Sequence, residues 1–253
     1  MTDELIASLI VVMAFFQVVF VIATVFKNNG LVDVSWGLGF IVASWIIAIR
    51  NSQFLIVLIP ITIWGLRLAG HIYLRSRKSE EDWRYKKWRE DWGKWTIPRA
   101  WLQVFVLQGF LQWVILIPVV LALSSQALLN NWYLIFAGFM LWIGGFALEA
   151  TADFQLKEFI KTKKKGQVLT SGAWAYTRHP NYFGEAMLWW GIWFICLGSV
   201  IDLPLWTIIG PITINFLVRY VSGVPFLEKR YADNPEFQEY KKKVPIFIPK
   251  IIQ

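Results

Sequence analysis

The 253-residue chain has a single cysteine, Cys196, set inside an apolar run; no disulfide can form within the chain, and neither a Cys cluster nor a CxxC metal site exists. No metal is expected on that ground. No GxGxxG turn follows a strand-like segment, which excludes a Rossmann dinucleotide site. No repeat of 20 to 50 residues and no Pro/Ser/Gly-rich linker interrupts the chain, so residues 1–253 read as one domain. The N-terminus lacks the basic start and the small-x-small cleavage site of a secretory signal; Asp3 and Glu4 stand where a basic region should be. Its long apolar run reads as a first membrane span.

What is abundant is apolar surface. At 57% hydrophobic residues the chain cannot cover itself with polar side chains, and it reads as an integral membrane protein. Runs long enough to cross a hydrocarbon core of about 30 Å lie at Leu5–Phe26, Leu31–Ile49, Phe54–Leu74, Trp101–Leu123, Trp132–Ala150, Tyr182–Val200 and Leu203–Val221. The expected architecture is therefore all-α and polytopic, with about seven transmembrane helices. Residues 1–123 and 132–253 form its two halves.

The formal charge of +8 falls in the loops. The segment from Arg75 to Arg99 holds nine Lys and Arg residues, "KEFIKTKKKGQ" is dense in Lys, and the tail carries "EKR" and "YKKK", while "SSQALLNN" and "GSVIDLP" hold no base. With seven spans the basic segments share one face with Lys27, and the positive-inside bias places the N-terminus outside and the C-terminus in the cytoplasm. Membrane topology thus accounts for the basic excess, and no nucleic acid partner is expected. The segment "WRYKKWREDWGKW" alternates indoles with charge, as an amphipathic interfacial helix or loop does at headgroup depth.

Ionisable residues within or beside apolar runs are costly, about 2.5 to 3.5 kcal/mol at mid-membrane, and so mark sites or pairs. They are Asp33, Arg67, His71, Glu149, Asp153, Glu185 and Arg219. Arg67, His71 and Arg219 fall near span ends, where snorkelling alone would explain them. Asp33 is too short to snorkel far; it is either a site residue or half of a structural ion pair with Arg67. "GLRLAG" also suits close packing of small residues.

A second polar cluster occupies "ADFQLKEFIKTKKKGQVLTSGAWAYTRHPNYFGE". Asp153, Lys157 and Lys161 are spaced by four, so they share a face if the fifth helix continues past the membrane. That face is either a solvated helix end or an anion site joined by Arg178, with Gly166 and Gly172 permitting close backbone approach. His179 before Pro180 is held extended, which puts Asn181 near the start of the sixth helix, where free amides favour phosphate; Asn181 is alternatively a simple cap.

"LTSGAWAYTRHPNYFGE" resembles the sterol-reductase signature, through Leu169, Ser171, Gly172, Trp174, Arg178, His179, Asn181, Tyr182, Gly184 and Glu185. The tail "EKRYADNPEFQEYKKKVPIFIP" is similar to the second signature of that family, and "ADFQLKEF" looks like the helix end before the cofactor loop of steroid 5-alpha-reductases. "LVDVSWGLGF" and "WGLRLAGHIYLRSR" resemble a mostly bacterial branch of steroid 5-alpha-reductase-like membrane proteins; the Gln-Glu pair that holds the steroid carbonyl in animal enzymes is absent.

The resemblance implies an NADPH pocket among the C-terminal helices. Asp153 and Lys157 match positions near the adenosine and phosphate end. Arg178, His179, Asn181, Tyr182 and Glu185 match the motif around the nicotinamide and pyrophosphate, and Arg230, Tyr231 and Tyr240 match the closing tail. It implies reduction of a C=C bond in a lipophilic, steroid-like or isoprenoid enone, with Asp33, Arg67 and Tyr73 as candidates for polarising the carbonyl. Isoprenylcysteine carboxyl methyltransferases share an RHPxYxG loop and a Glu-containing tail, so a membrane methyltransferase using S-adenosylmethionine is the alternative. Asn181 after "RHP", with "VDVSWG" ahead of the spans, favours the reductase. Membrane lipids are the expected surroundings, the bacterial inner membrane the favoured location and the endoplasmic reticulum the other; the sequence leaves the oligomeric state open.

Overall fold

The structure is a computed structural model that describes residues 1–77, 81–164 and 166–250; Lys78, Ser79, Glu80 and Lys165, parts of two basic loops, lie outside the described residues. Helices occupy all seven predicted apolar runs, and no strand occurs among the described residues beyond an isolated bridge between Leu128 and Val200. In hydrocarbon every backbone amide and carbonyl must be satisfied within its own segment, which helices achieve. Five helical stretches are long and apolar enough to cross a membrane: Thr2–Val25, Leu31–Asn51, Trp83–Ser124, Trp132–Thr162 and Leu205–Arg230. The fold is all-α and that of an integral membrane protein.

The chain forms two compact units. The first comprises Met1–Asn131 with Cys196–Gly210, the second Trp132–Ile195 with Pro211–Gln253. The boundary after residue 131 falls between the two expected halves, while residues 196–210 return to the first unit.

In the first unit, α1 (Thr2–Val25), α2 (Leu31–Asn51) and α3 (Leu58–Ser76) are followed by α4 (Trp83–Trp92), α5 (Thr96–Ala100) and α6 (Leu107–Ser124). A wide π-helical stretch, Trp101–Val106, joins α5 to α6. Helix α4 is the predicted interfacial segment; Asp82 caps it by accepting from the Arg84 amide at 3.0 Å, and Trp88 stacks on Trp92. Helices α2 and α3 touch backbone to backbone, because a methyl at Gly37 would sit 2.5 Å from the Gly65 carbonyl oxygen. Phe16, Phe40, Ile47, Trp64 and Ile115 fill the core between these helices and α6. The ends of the unit are chemically distinct. At one, Asn51 donates to Glu4 and to Ser124; at the other, Glu81 and Arg89 bind the turn between α1 and α2.

The second unit holds α7 (Trp132–Thr162), α8 (Pro180–Ser199, whose last residues belong to the first unit), α9 (Ile209–Phe216, which begins in the first unit), α10 (Val224–Arg230) and α11 (Pro235–Lys243). Helix α7 runs 12 residues beyond its predicted end, Ala150, so Asp153, Lys157 and Lys161 do lie on one continuous helix. Antiparallel α7 and α8 meet at two glycine pairs one heptad apart: Gly138 against Gly191 and Gly145 against Gly184. Side chains built at Gly145 and Gly184 would each lie 2.5 Å from the opposite carbonyl oxygen. Lipid offers no hydrophobic drive between helices, so this close fit supplies the attraction. The short helices α10 and α11 were not expected from hydropathy; Asn234 caps α11 by accepting from the Phe237 amide, with Pro235 at its first position.

Gly145→Ala tests the crossing. Alanine favours an isolated helix by about 1 kcal/mol, but here the methyl collides with backbone, and overpacking costs about 1 to 3 kcal/mol. The variant is expected to melt several degrees lower in detergent, whereas Gly144→Ala, whose methyl would meet only the Met187 terminus at 3.6 Å, leaves the melting temperature unchanged or raises it.

Candidate functional site

Within the connection from α7 to α8, residues 166–179 include a short 3-10 turn, Gly172–Ala175, and are tied to α7 and to the C-terminal tail. Gly172, at φ +64°, packs on the Gln155 side-chain amide, which accepts from the Ala173 amide at 3.0 Å. Only a residue tolerant of the left-handed region fits there. The Trp174 indole donates to the Ala152 carbonyl, and the Tyr240 hydroxyl donates to the Trp174 carbonyl. The tail then runs beside the loop: the Arg178 amide donates to Pro245, the Thr177 hydroxyl to Phe247, and the Lys250 amide to Tyr176. At the loop's far end the Val168 amide donates to Glu236, and the Asn234 side chain to Gly166.

One carboxylate gathers the polar centre of this unit. Glu228, on α10, lies 3.0 Å from Arg178 Nη2, 3.2 Å from His179 Nε2 and 3.6 Å from Lys241 Nζ. Arg178 Nη1 also donates to the Lys241 carbonyl at 3.1 Å. Both members of the Arg-His pair are buried, at 6% and 3% exposure, so neither projects freely into solvent. Burial pulls the His179 pKa below the ordinary imidazole value, and the hydrogen bond to Glu228 opposes but does not overcome it. His179 is therefore neutral near pH 7, with the proton placed on Nε2 facing the carboxylate. Its Nδ1 and Arg178 Nε are buried atoms with no hydrogen-bond partner among the described residues. Burial likewise pushes the Tyr240 phenol upward, consistent with a hydroxyl that donates to a carbonyl.

The remaining motif residues sit around this centre. Asn181, second in α8, donates from Nδ2 to Asp153 at 3.1 Å and accepts from the Tyr182 amide at 3.0 Å. It satisfies one free amide of the helix start and ties α8 to α7. The Tyr182 ring stacks on His179 at 5.9 Å, and Glu185 follows one turn later, half-buried. Lys157 and Arg230 are exposed. Tyr231 packs against Phe237 and lies under the Lys163 ammonium, while Lys161 pairs with Glu158 at 2.6 Å. The structure thus brings Asp153, Arg178, His179, Asn181, Tyr182 and Tyr240 into one bonded assembly. Glu228, its hub, was not singled out in the sequence, although it opens the quoted tail motif.

In the first unit, both oxygens of Asp33 accept hydrogen bonds: Oδ2 from Arg84 at 2.8 Å and Oδ1 from the Tyr85 hydroxyl at 2.7 Å. The cation on Asp33 is Arg84, itself bonded to Asp82, rather than the Arg67 considered from sequence. Arg67 is half-buried on α3, and Tyr73, six residues on, is exposed and points to a different side of that helix.

Two outcomes follow for the Glu228 centre. Glu228→Gln leaves Arg178 buried without its counter-charge, a loss on the order of 3 kcal/mol for a buried pair, and is expected to lower the melting temperature and expose the tail to proteolysis. Because the folded chain holds the His179 proton more weakly than the unfolded chain, the unfolded state binds more protons below about pH 6.5. Stability from this group is complete above that pH and declines as pH falls below it. His179→Gln should flatten that part of a melting-temperature profile measured from pH 7.5 to 5.

Comparison with known proteins then places the chain. Over 98 residues, 37% of its length, it is 36% identical to a Delta(14)-sterol reductase of Methylotuvimicrobium alcaliphilum, of which the match covers 21%. The chain therefore spans about a fifth of that relative. It is 21% identical to an uncharacterised protein of Schizosaccharomyces pombe over 266 aligned positions, covering 89% of this chain and 74% of the other. No solved structure matches. The family model described as "Protein of unknown function (DUF1295)" matches residues 19–244, almost the whole helical body, and the chain belongs to that family, which is related to the steroid 5-alpha-reductases.

Proposed function

We propose that the protein is a membrane reductase that uses NADPH to reduce a C=C bond conjugated to a carbonyl in a lipophilic, steroid-like or isoprenoid substrate. The observation that carries this reading is the intact assembly of the signature residues, with Arg178, His179, Asn181 and Tyr240 locked to Asp153, Glu228 and the tail. The similarity to a Delta(14)-sterol reductase supports the coarser part of this reading, reduction in a lipophilic substrate. The seven spans and cytoplasmic basic loops expected from the sequence, in a bacterial inner membrane or the endoplasmic reticulum, agree with this reading, since NADPH is found on the basic side.

The residues present fit an anionic dinucleotide. Lys157 and Arg230 are exposed cations on the elements flanking the loop, and Arg178 Nε and His179 Nδ1 are buried polar atoms without a partner among the described residues. NADPH, when bound, supplies the hydride. Lys157 and Arg230 neutralise phosphate charge, while Asp153, Asn181, Tyr182 and Glu185 orient the cofactor and Tyr231 and Tyr240 close the tail over it. Glu228 keeps Arg178 and His179 in place. In the first unit the candidates for polarising a carbonyl and delivering a proton to the alpha carbon narrow to the group around Asp33, because Tyr73 faces a different side of α3 from Arg67 and the cation on Asp33 is Arg84. Asp33 accepts two hydrogen bonds, so Tyr85, whose hydroxyl it holds, is the proton-bearing member of that group.

The Arg178, His179 and Glu228 assembly uses residues shared with the methyltransferase pattern, which keeps S-adenosylmethionine as the second reading. Thermal shift of the detergent-solubilised chain separates them. Stabilisation by NADPH, weakened about tenfold in affinity by Asn181→Ala, is the expected result; stabilisation by S-adenosylmethionine with none by NADPH sinks the reductase. Asp33→Asn is expected to abolish turnover of an enone while NADPH still binds.

A further inference from the structure

The first unit contains a cavity to which the reductase reading gives no role. It has a volume of about 350 Å³ and is bounded by the end of α1, the turn into α2, and the bend between α4 and α5. One wall is apolar, formed by Phe20, Ile97 and Ala100; the other carries Lys27, Arg89 and Lys94. We infer that this cavity binds the phosphate group of an anionic phospholipid, with Lys27 and Lys94 on the headgroup and the apolar wall against the start of an acyl chain.

Charge arrangement is the first support. The Arg89 guanidinium is already engaged: Nη2 donates to Glu81 at 2.8 Å and to the Lys27 carbonyl at 3.0 Å, and Nε to Glu81 at 3.3 Å. Glu81 also accepts from the Asn29 amide at 2.7 Å. This bridge ties α4 to the α1–α2 turn and fixes the cavity's shape with its own charge cancelled. Lys27 and Lys94 have no ion pair among the described residues, so the lining keeps two uncompensated positive charges beside hydrocarbon. A phosphodiester offers the opposite charge and the acceptor oxygens that ammonium groups require.

Backbone geometry is the second. Lys27 adopts φ +50° and Gly93 φ +51°, both in the left-handed region and both in the lining. A lysine there is held at a conformational cost, of the order of 1 kcal/mol or more. The strained turn at Lys27 and the bend at Gly93 together enclose the polar wall.

Depth in the membrane is the third. Val25, Phe26, Trp95, Ile97 and Trp101 around this end of the unit are all exposed, and Trp101 donates to Gln17 of α1 at 2.7 Å. Exposed indoles beside lysines mark headgroup depth. An inorganic phosphate would use the lysines alone, whereas a phospholipid also covers the apolar wall, and that difference identifies the ligand class.

The test uses the full chain in neutral detergent, with thermal shift and native mass spectrometry. Phosphatidylglycerol is expected to raise the melting temperature and to remain bound in the spectrometer, more strongly than phosphatidylcholine. Each surface lysine at a membrane contributes about fivefold in affinity, so Lys27→Asn and Lys94→Gln should each weaken binding by about that factor, and the pair together about twenty-five-fold. Asparagine suits position 27 because it tolerates the left-handed backbone. Melting temperatures in lipid-free detergent, unchanged from the parent, verify folding. Lys87→Gln, which removes an exposed charge elsewhere on α4, should leave binding unaltered. Equal phosphatidylglycerol binding by the double variant overturns the site, and protection by inorganic phosphate equal to that of the lipid overturns the phospholipid assignment.

Discussion

A hydrocarbon solvent forms no hydrogen bonds, and that one fact governs where every polar group of this chain can reside. Backbone groups are satisfied inside helices. Helices gain nothing from squeezing water out between them, so they hold together by approaching closely, at Gly37 and Gly65 in one unit and at the two glycine pairs of α7 and α8 in the other. Charged side chains collect at helix ends, where Asp33, Glu81 and Glu228 each find a cation from a different segment or turn. The same condition that forces the helices thus concentrates the chemistry into a few bonded clusters.

Two of those clusters follow one plan. Glu228 holds Arg178, His179 and Lys241, and Asp33 holds Arg84 and Tyr85. Each carboxylate and its cation come from separate segments, so each pair fastens a polar connection to a membrane helix. Desolvating two charges is expensive, and a buried pair adds little net stability against an apolar alternative. What it does provide is an arrangement with few competitors, since moving either segment strands a charge in a poorly solvated place.

The apolar runs were legible because span length and hydropathy are properties of consecutive residues. The continuation of α7 past Ala150 entered only as a condition for Asp153, Lys157 and Lys161 to share a face, and the helix meets that condition. Helices α10 and α11 escaped because they are too short to show a period and α11 is polar; Pro225 in the first turn of α10 and Asn234 with Pro235 at α11 are the local signs of a helix start. The signature residues were recognisable as a group, but their partners were not. Glu228 is 50 residues from Arg178 in sequence, and Arg84 is 51 from Asp33. Nothing local distinguishes Arg67 from Arg84 as the cation for Asp33; the choice is made by the start of α4, whose Arg84 and Tyr85 meet Asp33.

That distinction changes how the motif's charge is counted. Read as a string, Arg178 and His179 look like cations available to a phosphate. In the folded unit His179 is neutral and Arg178 already faces Glu228, so the pair brings almost no net positive charge to a ligand. Attraction for an anion must then come from Lys157 and Arg230, whose side chains reach solvent, and from the amides at the start of α8. Exposed charges are screened beyond about 8 Å at physiological salt, so they draw an anion in only from nearby and weakly. The buried pair does not share that weakness. Held in a fixed orientation, Arg178 Nε and the Nδ1 of a neutral His179 are buried polar atoms that offer direction rather than bulk charge, the kind of contact the proposed cofactor would need for selective recognition.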